Sequence, residues 1–155
     1  EMISTALEIL ARAKEKNVKI HLPSDVVCAK EFSNDAETKN FDIYNIPDDY
    51  EGMDAGKNSI EAFRKVVLDS KTILWNGPVG VFEFSNFSKG TKELGNLVAE
   101  STANGAFSLV GGGDSVAAVK KFGLQDKVSY VSTGGGAMLE SLEGKTLPGI
   151  SALSN

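Results

Sequence analysis

Two glycine triplets constrain this chain more than any other feature. The first lies in Phe107-Ser108-Leu109-Val110-Gly111-Gly112-Gly113-Asp114-Ser115, the second in Val128-Ser129-Tyr130-Val131-Ser132-Thr133-Gly134-Gly135-Gly136. Each closes a short apolar run and opens a helix-like run. Consecutive glycines turn the backbone without a Cβ in the way. A strand, a glycine turn and a helix N-terminus together offer bare N–H groups and a partial positive charge to a phosphate. Two such turns in tandem suggest a site for more than one phosphoryl group. Neither matches the GxGxxG dinucleotide fingerprint or the Gly-Lys-Ser/Thr ending of a P-loop. Taken singly, each also reads as a plain tight turn.

The segments around the triplets alternate helix with strand. Ile3, Leu7, Leu10 and Ala11 form one stripe, predicting a helix over 3–14 with Asn17 at its C-terminal end. Val18–Leu22 alternates in period two and predicts a strand. Residues 30–58 are polar and broken by Pro47 and Gly52, predicting a long excursion with at most a short strand at 41–44. Asn58 and Glu61 have the spacing of a capping box ahead of the stripe Ile60, Phe63, Val67. Thr72–Trp75 reads as a strand, and a helix follows from about Ser88, with Leu94, Leu97, Val98 and Ser101 on one face. Asn104-Gly105 breaks that helix. Strand 106–110, a helix from Ser115 to Gly123, strand 128–132 and a helix from Gly136 complete the series.

This order predicts an α/β fold: a three-layer, Rossmann-like parallel sheet with helices on both faces. Right-handed crossovers bring the C-terminal ends of parallel strands to one rim. The segments after Leu22, Trp75, Val110 and Val131 are therefore expected to converge.

Charge then limits the chemistry. The chain has a formal net charge of −5 over 155 residues, which argues against sequence-independent nucleic-acid binding. An anion site must be local. No apolar run approaches a membrane span, and the chain opens at Glu1 directly into an amphipathic pattern. It reads as cut from something longer. The single cysteine, Cys28, fits a reducing cytosol and a small packed side chain. His21 is the only histidine and reads as structural, so zinc and Ser-His-Asp chemistry are poor fits.

Several residues on the expected rim suit a nucleotide. Asp114 beside bound phosphates would be a Mg2+ ligand, since this ion takes one or two carboxylates with phosphate oxygens. Its plainer reading is stabilisation of its own helix N-terminus. Glu83, after the rigid run Trp75-Asn76-Gly77-Pro78-Val79-Gly80, would accept bonds from a ribose diol; otherwise it is a surface carboxylate. Gly56 precedes a helix and permits close backbone approach. Trp75 closes an apolar strand and reads as core. Hydroxyls and amides of Ser132–Gly136 could hold a transferring phosphoryl group.

The runs Trp75–Glu83, Gly111–Ser115 and Ser132–Ala137, followed by Leu139-Glu140 and Glu143–Gly149, resemble phosphoglycerate kinases in order and spacing. The resemblance covers essentially all 155 residues. It implies that residues 1–155 are the second half of the C-terminal, nucleotide-binding domain of a two-domain kinase, without the N-terminal substrate domain. It implies phosphoryl transfer between 1,3-bisphosphoglycerate and ADP, giving 3-phosphoglycerate and ATP, with Mg2+, in a cytoplasmic enzyme that is a monomer when full length. By match of motif, Glu83 would hold the ribose, with Asn76 and Pro78 shaping the pocket and Gly56 near the base and ribose. Gly112, Gly113, Asp114 and Ser115 would hold the nucleotide phosphates, Asp114 on the metal's side. Gly112, Gly134 and Gly135 would act on the transferring group. Lys57 stands where the family often has proline, and Ala137-Met138 replaces a commoner pair. The other readings are a non-catalytic nucleotide- or anion-binding half-domain acting with a partner chain, and a dinucleotide oxidoreductase, which the missing GxGxxG disfavours. A sheet cut at this point would expose an apolar face, so the segment alone is expected to be inactive.

Overall fold

A computed structural model describes residues 2–153; Glu1, the opening of the expected segment, and the last two residues lie outside them. The chain folds around two small sheets. One is parallel, in the order β4-β5-β6, built from Thr72–Trp75, Phe107–Val110 and Tyr130–Val131. The other is antiparallel, in the order β2-β1-β3, built from Lys39–Asp42, Asp25–Ala29 and Glu51–Ala55. The helices are α1 (Met2–Glu15), α2 (Lys57–Asp69), α3 (Lys89–Ala103), α4 (Gly113–Lys121), α5 (Gly135–Leu142) and α6 (Pro148–Leu153).

The parallel sheet, with its flanking helices, carries the expected α/β pattern. Trp75 and Val110 are register partners and both are buried. They pack with Val98 and Ala99 of α3, Val119 of α4, Leu124 and Val128. The buried valines and leucine among them, at about 1.5–3 kcal/mol each, form the main driving force for this half of the molecule. The alternate positions point away from that core. Leu74, Phe107 and Tyr130 are 45%, 52% and 59% exposed. Three large side chains on the outer positions of one small sheet form an uncovered apolar face.

Of the antiparallel sheet, only β2 overlaps an expected strand, the short one at 41–44; β1 and β3 were not expected. Its strands are short, and β2 is mostly exposed. Such strands lack the apolar alternation by which a strand is recognised. Val18–Leu22 is a correction in the other direction. It has strand-like alternation but lies outside the strands, and Leu22 joins no rim. Asn17 turns left-handed (φ 55°) at the end of α1, as expected, and Val18 N–H donates back to Ala13 at 2.8 Å. Among the described residues no strand pairs with Val18–Leu22, and an apolar alternation without a ladder leaves Val18 and Leu22 58% and 63% exposed.

The capping box at Asn58 is also corrected. The helix begins at Lys57 with Gly56 as its cap residue. The carboxylate of Asp25, from β1, accepts from Asn58 N–H (3.1 Å) and Ser59 N–H (2.7 Å). A distant anion therefore fills the role assigned to Asn58, and Glu61 bonds Arg64 instead (3.2 Å).

Candidate functional site

The site forms where loop 76–83 meets the two glycine turns. Gly77 is held from both sides. Its N–H donates to Ser115 Oγ at 2.5 Å, and its carbonyl accepts from the Trp75 indole at 2.8 Å. Its φ of 106° requires glycine. The loop then runs beside β3: Ala55 N–H donates to Val79 (3.1 Å) and Val81 N–H to Met53 (2.8 Å). Val79 N–H reaches Thr91 Oγ1 of α3 at 3.2 Å, and Lys121 Nζ of α4 donates to the carbonyls of Phe82 (2.8 Å) and Glu83 (2.9 Å). The loop is thus fixed along its length by β3, α3 and α4.

The first glycine turn abuts that loop. Gly112 has φ 88°, and a Cβ there would collide with the carboxamide oxygen of Asn76. The second turn packs on the first. A Cβ on Gly135 would lie 2.5 Å from the Gly112 nitrogen, and one on Gly111 would meet the end of Met138. Asn76, Gly77, Gly112, Ser115 and Gly135 are therefore one cluster.

Helix N-termini separate into two kinds. Asp25 takes amides of α2, as described. Asp54, on β3, is 4% exposed and takes the start of α3: Gly90 N–H donates to it at 2.7 Å. By contrast, neither Gly112 before α4 nor Gly134 before α5 provides a side-chain cap. The two helices that open on the glycine triplets thus begin without the carboxylate cap that α2 and α3 receive. Unfilled amides at a helix N-terminus are a ready anion site.

The two capping carboxylates differ in their titration. Burial pushes both upward. At Asp25 the Ser59 hydroxyl and the amides of Ser59 and Asn58 more than offset this, leaving its carboxyl below the usual range. At Asp54 burial prevails over the bonds from Gly90, Ala55 and Lys89, and the carboxyl is pushed up to about 6. Burial likewise raises the Cys28 thiol, consistent with a packed side chain.

The phosphoglycerate kinase family model matches residues 1–145. The chain belongs to the phosphoglycerate kinase family. It is 62% identical over 153 residues to a phosphoglycerate kinase of Porphyromonas gingivalis, covering 99% of this chain and 37% of that protein. It is 52% identical over 156 residues to the one of Thermosipho africanus, covering 100% and 39%. In structure it matches the phosphoglycerate kinase of Coxiella burnetii with a TM-score of 0.89 at 47% identity, covering 96% of this chain and 38% of that one. The Pyrococcus horikoshii phosphoglycerate kinase matches with a TM-score of 0.74 at 31% identity, covering 99% and 38%. The chain spans less than two fifths of the length of these family members.

Of the residues matched to the family's motifs, Asn76, Gly112, Ser115 and Gly135 meet directly. Pro78 lies within the loop, and Gly113 and Asp114 open α4 with both exposed. Gly134 precedes α5 and is exposed. Glu83 is exposed and is reached through Lys121. Ser115 is fully buried with its oxygen accepting from Gly77, so its hydroxyl braces the loop. Gly56 is glycine for a local reason, since a Cβ there would strike the Asp25 carboxylate. Asp25, Asp54 and Lys121 escaped the sequence reading. Each acts across more than 30 residues, and no short spacing signals such a contact.

Proposed function

We propose that these residues form the nucleotide side of a cytoplasmic, glycolytic phosphoglycerate kinase, corresponding to the second half of its C-terminal domain. The complete protein transfers a phosphoryl group between 1,3-bisphosphoglycerate and ADP, giving 3-phosphoglycerate and ATP. One observation carries this reading: the uncapped starts of α4 and α5 adjoin each other and the loop bearing Glu83.

In this reading the amides at the start of α4, with Gly112 and Gly113, hold the nucleotide phosphates. Gly134 and Gly135 face the transferring group, whose spread negative charge is stabilised by prearranged dipoles. Glu83 accepts from the ribose, and Asn76 and Pro78 shape its wall. The donor set fits Mg2+: Asp114 is an exposed carboxylate in the first turn of α4, and the ion takes such a group together with phosphate oxygens. Bound Mg2+ would neutralise phosphate charge; Asp114 would orient it.

The uncovered apolar face at Leu74, Phe107 and Tyr130 favours a dependent segment. The 155 residues alone would lack kinase activity and act only when the rest of the fold covers that face. A coupled assay with calorimetry tests both statements. The complete protein should bind Mg·ADP and lose most of that affinity in Asp114→Ala and Glu83→Ala. The isolated segment should show no turnover. Turnover near that of the complete protein overturns the dependence, and nucleotide affinity unchanged in both variants overturns the site.

A further inference from the structure

We infer that Lys121 is a positioning residue for the nucleotide site, and that α4 is a strut fixing the phosphate-binding end of the site to the ribose-binding end. The inference rests on the nucleotide role just proposed for Glu83 and the start of α4.

Helix α4 touches loop 76–83 at both of its own ends. At its start, buried Ser115 accepts from Gly77 N–H at 2.5 Å. At its last residue, Lys121 Nζ donates to the carbonyls of Phe82 at 2.8 Å and Glu83 at 2.9 Å. Six residues of α-helix separate the two ties, a rise of about 9 Å that helical hydrogen bonding holds constant. Between them the chain of the loop also advances six residues, from Gly77 to Glu83. The bonds of Val79 and Val81 to β3 and α3 hold the middle of the loop. Lys121 is the tie on its distal end, at Phe82 and Glu83, and sets that end against the same helix that holds Gly77.

Lys121 is placed for this work and for no evident other. Among the described residues it forms no ion pair, so its ammonium is not committed to a carboxylate. A cation in the last turn of a helix is favoured by the helix dipole. Two backbone carbonyls at hydrogen-bond distance take two of its three donors. One of these carbonyls belongs to Glu83 itself, so the bond fixes the backbone from which the carboxylate projects. Its neighbour Lys120 has the same charge in the same turn and, among the described residues, forms no hydrogen bond or ion pair with the loop. That difference provides an internal control.

The role is indirect. Lys121 lies at the far end of α4 from Gly113 and Asp114, away from the phosphate-binding amides. Its loss should loosen the ribose grip while leaving the chemical step intact.

The test uses the complete protein and steady-state kinetics with Mg·ADP. Lys121→Met should raise KM for Mg·ADP about tenfold, the scale of one charged hydrogen bond, with kcat and KM for the phosphoglycerate substrate within about twofold. Lys121→Arg, which keeps charge and donors, should recover most of the loss, and Lys120→Met should match the parent. Glu83→Gln should raise KM for Mg·ADP in the parent but add little in Lys121→Met, because both act on one grip. Lys121→Gln gives the same reading should the methionine variant fail to fold. Equal KM values in the parent, Lys121→Met and Lys120→Met, with Glu83→Gln still impaired, overturn the strut alone. Unaltered ADP binding in both Glu83→Gln and Asp114→Ala overturns the nucleotide site, and the strut with it.

Discussion

Replacing Asp54 with asparagine should reverse its effect on stability between acid and neutral pH. Asp54 is buried on β3, accepts from Gly90 N–H at 2.7 Å and Ala55 N–H at 2.9 Å, and is pushed up to about 6 from an ordinary 3.8. That difference corresponds to about 3 kcal/mol. The sign follows from proton counting. Between 3.8 and about 6 the folded chain holds a proton that the unfolded chain has released. The associated stability is complete below 3.8 and is lost as the pH rises through about 6. Asparagine does not titrate, so other groups cancel when parent and variant are compared. At pH 4 the variant should be less stable by ~1 kcal/mol, because its amide loses one acceptor. By pH 7 the difference should have moved by about 2.5 kcal/mol in the variant's favour. Urea unfolding of the complete protein, followed by fluorescence of buried Trp75, measures it. A parent–variant difference that stays flat from pH 4 to 7 would refute the claim that burial dominates Asp54.

Asp25 should show the opposite slope: its carboxyl is lowered, so its contribution is present above the unfolded pKa and fades as the pH falls through the folded one. Asp25→Ala should cost ~1 kcal/mol at neutral pH by uncapping α2, read as a lower urea midpoint. Gly90→Ala should destabilise by about 1–3 kcal/mol, since its Cβ would strike the Asp54 carboxylate, and thermal unfolding will register the loss. Gly112→Ala combines a left-handed φ of 88° with a collision at Asn76, and should abolish nucleotide binding in calorimetry.

The parts of the molecule visible in its sequence are those whose signals are local. The strands Thr72–Trp75 and Phe107–Val110 were bracketed by helices and stopped by Asn76-Gly77 or glycine, and they form where expected. The breaks at Asn104-Gly105 and Gly123 coincide with positive φ at both glycines. The glycine turns met because successive crossovers returned to one rim. What escaped was long-range. Asp25 displaced Asn58 as a cap because its charge reaches helix amides more than 30 residues away. The antiparallel sheet was hidden because its strands are short and do not alternate, and Ala29 and Met53 find their apolar partners only through the fold. Val18–Leu22 failed as a strand for the converse reason: its alternation is apolar, but among the described residues it has no ladder to join. Gly56, Gly80 and Gly90 are glycines because carboxylates fill the space of a Cβ, a cause that spacing along the chain does not reveal.

A crystal structure of the complete protein with Mg·ADP tests the central claim most directly. Phosphate oxygens should lie about 3 Å from the amide nitrogens of Gly113, Asp114 and Ser115, with the ribose hydroxyls at Glu83. Phosphates bound elsewhere, with those amides bonded to their own chain, would contradict the account.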